Sequence, residues 1–245
     1  MHHFFVSPDK VNEQDIIING PDVNHIKNVL RMKTGEEILI SDGQGQDYLC
    51  VISSMDEEKV IASITDKNYS GTELKTRIWL FQALPKNDKM EFIIQKAVEL
   101  GAYAIVPVKT SRCVVKLDEK KAQTKLKRWN AISESAAKQS RRSIIPEVLK
   151  PMNFADALLY ADRFDMNIIP YENYKDMEQT VKTLENIEEM KDIGIFIGPE
   201  GGFAEDEIEK AMALSVHPIS LGRRILRTET AGMSILSVLM FRLER

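Results

Sequence analysis

The chain has 245 residues, 43% of them hydrophobic and 29% charged, with 12 glycines and 9 prolines, the make-up of a globular protein with one or two domains rather than of a disordered or fibrous one. Its two cysteines, Cys50 and Cys113, form no C-x-x-C pair, which excludes a disulfide scaffold, argues against a zinc site and predicts two ordinary buried thiols. The net charge of −4 is unevenly spread: 109–150 carries twelve Lys/Arg against four Asp/Glu, a local +8, whereas 172–209 carries three against twelve, a local −9. A basic stretch in an acidic chain suits a phosphate-binding surface, and equally a solvated helix face balancing acidic neighbours.

No apolar run reaches the roughly 18 residues of a spanning helix, and 231–241 is the longest approach to one, so the chain is not expected in a membrane. Residues 1–5 have no charged n-region or apolar h-region, and a cytoplasmic location is expected.

The first part reads as short strands at 16–18, 37–41, 47–54 and 60–65 with one helix at 22–31, N-capped by Asp22 after Pro21. Gly43-Gln44-Gly45 between two strands signals a hairpin loop. Residues 68–72 have no apolar periodicity and read as a linker, which places a small β-rich domain at 1–70. From 73 to 245 the pattern changes to strands alternating with longer helices, as in an α/β domain with a largely parallel sheet. The expected strands are 78–83, 104–108, 166–169, 193–197 and 218–221, and the helices 89–100, 119–139, 154–160, 177–184, 205–214 and 230–243. Phe92, Ile93, Lys96, Ala97 and Leu100 have the spacing of a core-facing stripe, stopped by Gly101.

Three strand ends can carry chemistry. Ile197-Gly198-Pro199-Glu200-Gly201-Gly202-Phe203 runs from an apolar strand through a glycine turn into a helix, where ligands of open α/β sheets bind and where backbone without a β-carbon can approach one closely. It is neither a Walker loop nor G-x-G-x-x-G, and the acids that follow disfavour a phosphate; a turn that merely caps a helix is the alternative. The stretch 220–231 likewise leaves a strand and opens a helix. Thr228 or Thr230 can cap that helix and Glu229 suits its dipole, while Arg223, Arg224 and Arg227 suit RNA phosphate or a carboxylate, unless they pair internally with Glu229 or Glu200. Ile169-Pro170-Tyr171-Glu172 is the third strand end, and the three could form one pocket. The helix at 119–139 leaves through a basic turn, Lys138 to Ser143, that offers either phosphate donors or cations compensating a helix dipole. The four histidines have no metal-ligand spacing, and no G-x-S-x-G elbow or activated cysteine is present.

Taken together, these strings resemble the RsmE-type ribosomal RNA uridine-N3 methyltransferases of the SPOUT superfamily. The resemblance rests on Phe4-Phe5-Val6, His25 to Arg31, Lys138 to Arg142, Ile197 to Phe203 and Leu221 to Ala231, and covers essentially the whole chain. It implies an α/β fold: a small β-barrel PUA-like domain at 1–70 that helps hold RNA, then a trefoil-knotted SPOUT methyltransferase domain at 73–245. It implies S-adenosylmethionine as methyl donor and no metal. The cofactor would lie against Ile169, Pro170, Tyr171 and Glu172; against Ile197, Gly198, Pro199, Glu200, Gly201 and Gly202; and against Ser220, Leu221, Gly222, Ile225, Leu226, Arg227, Thr228, Thr230 and Ala231. A sulfonium cofactor also accounts for the missing phosphate signature.

The implied reaction is N3-methylation of a specific uridine in small-subunit ribosomal RNA by a homodimer, with the final helix, including Met233, Leu236 and Met240, contributing to the dimer. Arg227 is the candidate to stabilise charge developing on the uridine oxygens, with Glu229 orienting it, accepting the proton or only capping the helix. Arg31, Lys138, Arg141, Arg142 and Arg223 are candidate RNA contacts. His2-His3 stands where relatives commonly have an arginine, and the first domain is net acidic, which shifts the expected RNA grip toward the basic stretch. A catalytically inactive RNA-binding assembly factor, and a methyltransferase of the same scaffold acting at another RNA position, are the alternatives.

Overall fold

The computed structural model describes residues 1–244 except 68, 70 and 116; residues 68 and 70 of the expected linker therefore lie outside the described residues. By backbone proximity the chain falls into two units, Met1–Glu73 with Ala137–Ile145, and Leu74–Ala136 with Pro146–Arg245.

The first unit holds β1 (His2–Phe5), β2 (Asp15–Asn19), β3 (Glu37–Ser41), β4 (Asp47–Met55) and β5 (Lys59–Asp66) in one sheet of order β1-β3-β4-β5-β2. Only β1 and β3 run parallel; the other neighbours are antiparallel. The expected barrel is thus an open path with β1 and β2 at its ends. Every second residue turns inward: Ile16 and Ile18, Ile38 and Ile40, Cys50 and Ile52, Val60 and Ala62 are buried together with Phe4 and Ile26. Each buried isoleucine contributes about 1.5–3 kcal/mol relative to exposure. The β3–β4 connection is the expected hairpin, with Asp42 accepting from the Gln44 and Gln46 N–H groups.

Helix α1 (Pro21–Asn24) is capped by Gly20 and has Pro21 at its first position, so Asp22 lies in the first turn instead of capping it. It continues as a π-helical turn, His25–Val29, in which the Leu30 N–H donates to His25 O. Residues 137–145 complete this unit. Glu73 accepts from Arg142 Nε (2.9 Å), Arg142 Nη2 (2.5 Å) and the Ser143 N–H (2.8 Å), and Asp47 accepts from Ser143 Oγ (2.6 Å) and from Ser41.

The second unit is a parallel seven-stranded sheet built from β6 (Arg77–Ala83), β7 (Ala102–Lys109), β8 (Glu147–Val148), β9 (Met152–Asn153), β10 (Met166–Pro170), β11 (Asp192–Ile197) and β12 (Val216–Ile219). The order is β12-β10-β11-β6-β7-β8, with β9 also on β7. The helices are α2 (Lys89–Glu99), α3 (Glu119–Ser140, whose last residues belong to the first unit), α4 (Phe154–Ala161), α5 (Met177–Thr183), α6 (Glu205–Ala213) and α7 (Thr228–Leu243). Helix α2 buries Met90, Ile93, Ile94, Ala97 and Val98, a regular i, i+3, i+4 stripe, so Phe92 falls outside it and is 45% exposed, against the expected face. β12 ends the sheet beside β10, yet α7 returns to pack on α2 and β11.

Candidate cofactor and substrate site

The carboxyl ends of β10, β11 and β12, three neighbouring parallel strands, open onto a cavity of about 500 Å³. Open parallel sheets bind ligands at this edge because successive loops leave the sheet side by side there. All three expected strand ends meet in it: Pro170, Tyr171 and Glu172; Ile197 through Phe203; and Ser220 through Thr228 with Ala231. Two expected cofactor contacts do not line it. Ile169 is fully buried in the core, since the alternation along β10 turns it into the sheet's packing, and Thr230 lies on a different face of α7 from Ala231. Lys89 and Lys175 line it unforeseen. Nothing local in the sequence marked Lys89: it reaches the cavity because β6 adjoins β11 in the folded sheet, so the residues after β6 leave the same edge.

The glycine turn is shaped by close contacts. Gly202 has φ +67°, a left-handed conformation, and a β-carbon there would lie 2.8 Å from Glu172 Oε1. Its N–H donates to Pro199 O (2.9 Å), closing the turn. At Gly198 a β-carbon would press on the Phe203 ring at 3.2 Å. The turn is fastened from outside by Arg112 Nη1, which donates to Gly201 O (2.8 Å), and by Thr228 Oγ1, which donates to Gly198 O (2.6 Å) while accepting from Gln82 Nε2 (2.9 Å). Thr228 therefore does not cap α7; Arg227 holds that position with extended backbone and no side-chain cap bond. On the neighbouring loop, the Ser220 N–H donates to Thr180 Oγ1 (2.9 Å), and the Tyr171 N–H to Ile219 O (3.1 Å).

The charges in the cavity divide in two. Arg223, Arg224 and Arg227 are exposed, as is Ile225 at 92%, and among the described residues no carboxylate pairs with the Arg227 guanidinium. Glu229 is taken instead by Lys89, whose Nζ lies 3.2 Å from Glu229 Oε2 and 3.3 Å from Glu200 Oε1. Glu200 Oε1 also accepts from the Lys86 N–H (3.1 Å). The hydrogen bond to Glu229 raises the Lys89 ammonium above its ordinary pKa against desolvation, with Glu200 adding to it. Burial alone would raise Glu200, but hydrogen bonds from backbone N–H groups and from Lys89 outweigh it and hold the carboxyl below its usual value. The alternative of an arginine paired internally with Glu229 or Glu200 gives way to a carboxylate–ammonium–carboxylate bridge at Lys89.

Of the candidate RNA contacts, Arg31 and Arg141 are exposed, both with positive φ (55° and 58°), and Arg223 lines the cavity. Lys138 lies 3.9 Å from Asp22 and lines a second cavity, within the first unit, with His2, His3 and His25. Arg142 corrects the expectation: it is 4% exposed and grips Glu73, so its donors serve the fold. Only Cys50 is the expected buried thiol, pushed up to about 12 by burial; Cys113 is half-buried. Among the described residues no group of three or more His, Cys, Asp or Glu is arranged to hold a metal ion, and no helix is long and apolar enough to cross a membrane.

Comparison with known proteins agrees with this layout. A family model described as an RNA methyltransferase domain matches residues 72–240, and one described as an RNA methyltransferase PUA domain matches residues 18–65. A Bacillus subtilis relative named ribosomal RNA small subunit methyltransferase E is 34% identical over all of this chain and 98% of its own; one of the same name from Mesomycoplasma hyopneumoniae is 35% identical over 97% and 98%. The crystal structure of a ribosomal RNA small subunit methyltransferase E from Neisseria gonorrhoeae bound to S-adenosyl methionine is similar, with a TM-score of 0.83, 30% identity and coverage of 99% of this chain and 98% of that one.

Proposed function

Because this chain belongs to the RNA methyltransferase family, we propose that it transfers the methyl group of S-adenosylmethionine to N3 of a uridine in small-subunit ribosomal RNA. The observation that carries this reading is a backbone-walled cavity at three adjacent strand ends, with an exposed, unpaired arginine in its lining. The walls fit that cofactor. A β-carbon would fill the cradle at Gly202, Ile197, Pro199 and Leu226 offer apolar surface to an adenine, and Glu172 and Glu200 offer acceptors to hydroxyl or ammonium groups. When bound, the cofactor supplies an electrophilic methyl group on a sulfonium.

The chain's own residues do the rest. Ile197 to Gly202 and Ser220 to Leu226 would hold the cofactor. Uridine N3 lies on the Watson–Crick edge and carries a proton, so the base must be unpaired or turned out before it reacts. As that proton leaves, negative charge grows on O2 and O4. Arg227, with no carboxylate neutralising it, is suited to stabilise that charge, worth about 2.7–4 kcal/mol for one well-aimed donor. Glu229 is tied to Lys89 and acts by placing the start of α7.

Arg31, Lys138, Arg141 and Arg223 would meet RNA phosphates, with the domain at 1–70 gripping the RNA and that at 73–245 carrying the reaction. The protein would work in the cytoplasm as a homodimer. Leu236, expected in the dimer contact, is buried within the monomer, so the dimer face is better sought at the exposed Phe92 and Val238 of the packed helices α2 and α7.

The test is to incubate the purified protein with labelled S-adenosylmethionine and small ribosomal subunits lacking the modification, and to identify the nucleoside by mass spectrometry. Label in 3-methyluridine is expected. Cofactor binding without transfer would overturn the substrate assignment, and absence of cofactor binding would leave an RNA-binding factor.

A further inference from the structure

Lys89, the first residue of α2, carries no motif, yet its ammonium is where two carboxylates meet. One belongs to Glu200, inside the glycine turn. The other belongs to Glu229, 140 residues along the chain from Lys89 and two residues past Arg227. Both carboxylates are mostly withdrawn from water, with side chains 27% and 15% exposed. Carboxylates so placed need a cation, because desolvation without one is costly. A lysine suits this junction, since its compact ammonium has three rotatable donors and can serve acceptors arriving from different directions. Without it, the cation nearest in sequence to Glu229 is Arg227, and an arginine clamped by a carboxylate has its charge compensated and its donors occupied.

We propose that Lys89 is a positioning residue that keeps Arg227 available: by binding Glu229 and Glu200 together it prevents Glu229 from capturing the arginine, and it fastens the start of α7 to the glycine turn. The significance for catalysis rests on the role given to Arg227 above; the charge arrangement does not.

Four proteins decide it: the unaltered chain, Lys89→Met, Lys89→Arg and the double variant Lys89→Met/Glu229→Gln. The first readout needs no activity. Arg227 in the ligand-free protein is modified by phenylglyoxal, and its rate is followed by mass spectrometry. Lys89→Met is expected to slow this about fivefold as Glu229 turns to the arginine, and the double variant to restore it. The second readout is single-turnover methylation at saturating cofactor, where Lys89→Met is expected to lose about tenfold, Lys89→Arg to keep most of the rate, and the double variant to recover much of the loss.

A merely structural lysine predicts the opposite for the double variant, which would be no better than the single one. That result, or unchanged Arg227 reactivity in Lys89→Met, overturns the proposal. If Lys89→Met does not fold, Lys89→Gln, which retains hydrogen-bond donors, takes its place in both readouts. An unaltered chain that methylates no RNA would overturn the functional reading, and the phenylglyoxal rates would still decide the role of Lys89.

Discussion

Two arginine-rich stretches, 138–142 in the first unit and 223–227 in the second, look alike in the sequence and fold to different ends. In the first, Arg142 is turned inward and holds Glu73 through two nitrogens, while Arg141 beside it stays exposed. In the second, all three arginines are exposed, and the nearby carboxylate, Glu229, is held by Lys89. What separates a structural arginine from one free to meet substrate is therefore not local composition. It is whether a carboxylate from a distant part of the chain reaches the guanidinium: Glu73 reaches Arg142, whereas Glu229 is bound to Lys89.

The sharpest break of this contrast is Arg142→Ala. It should strand Glu73 among backbone donors and destabilise the protein by about 3 kcal/mol, seen as a lower urea midpoint, because removing one member of a buried pair leaves the other uncompensated. Arg227→Ala should leave the urea midpoint nearly unchanged and lower kcat about a hundredfold, with the cofactor Kd little altered in calorimetry. Equal stability losses in the two variants would erase the distinction.

Arg141→Ala, next to the clamp but outside it, should raise the KM for RNA and reduce the steepness of its salt dependence by about one released counterion, with cofactor binding intact. The smallest effect is one of pH. His3 Nε2 lies 2.6 Å from Ser41 Oγ in the network that holds Ser143, and burial lowers its pKa below 6.5, opposed by the Asp47 charge and a hydrogen bond with the Lys138 backbone and reinforced by the Lys138 and Arg141 charges. The unfolded chain then takes up the proton first, so this stability is complete above pH 6.5 and is lost as pH falls through the folded value. Thermal unfolding from pH 7.5 to 5 should show a shallower decline in His3→Gln.

Much of the second unit was legible in the sequence because its strands are short apolar runs buried on both faces and its helices carry regular stripes. The three strand ends were legible for the same reason, since each apolar run breaks at a glycine or proline. The errors are of two kinds. Small shifts of phase misplaced Phe92 on α2 and set β12 two residues late, because an apolar side chain beside a stripe reads like a member of it. Long-range pairing hid the rest: the burial of Arg142, the attachment of 137–145 to the first unit and the bridge at Lys89 each depend on a residue about 70 to 140 positions away. No local window contains both partners.

The attachment of 137–145 bears on the order in which the chain can fold as it is made. Glu73 bonds to residues 69 to 71 positions downstream, and Asp47 to Ser143, 96 positions downstream. A nascent chain elongating at about 5–20 residues per second thus exposes the amino-terminal sheet for several seconds before the segment that completes it emerges. During that interval two carboxylates lack their native donors, and the strands wait on sequence that follows the first stretch of the second unit, Leu74–Ala136.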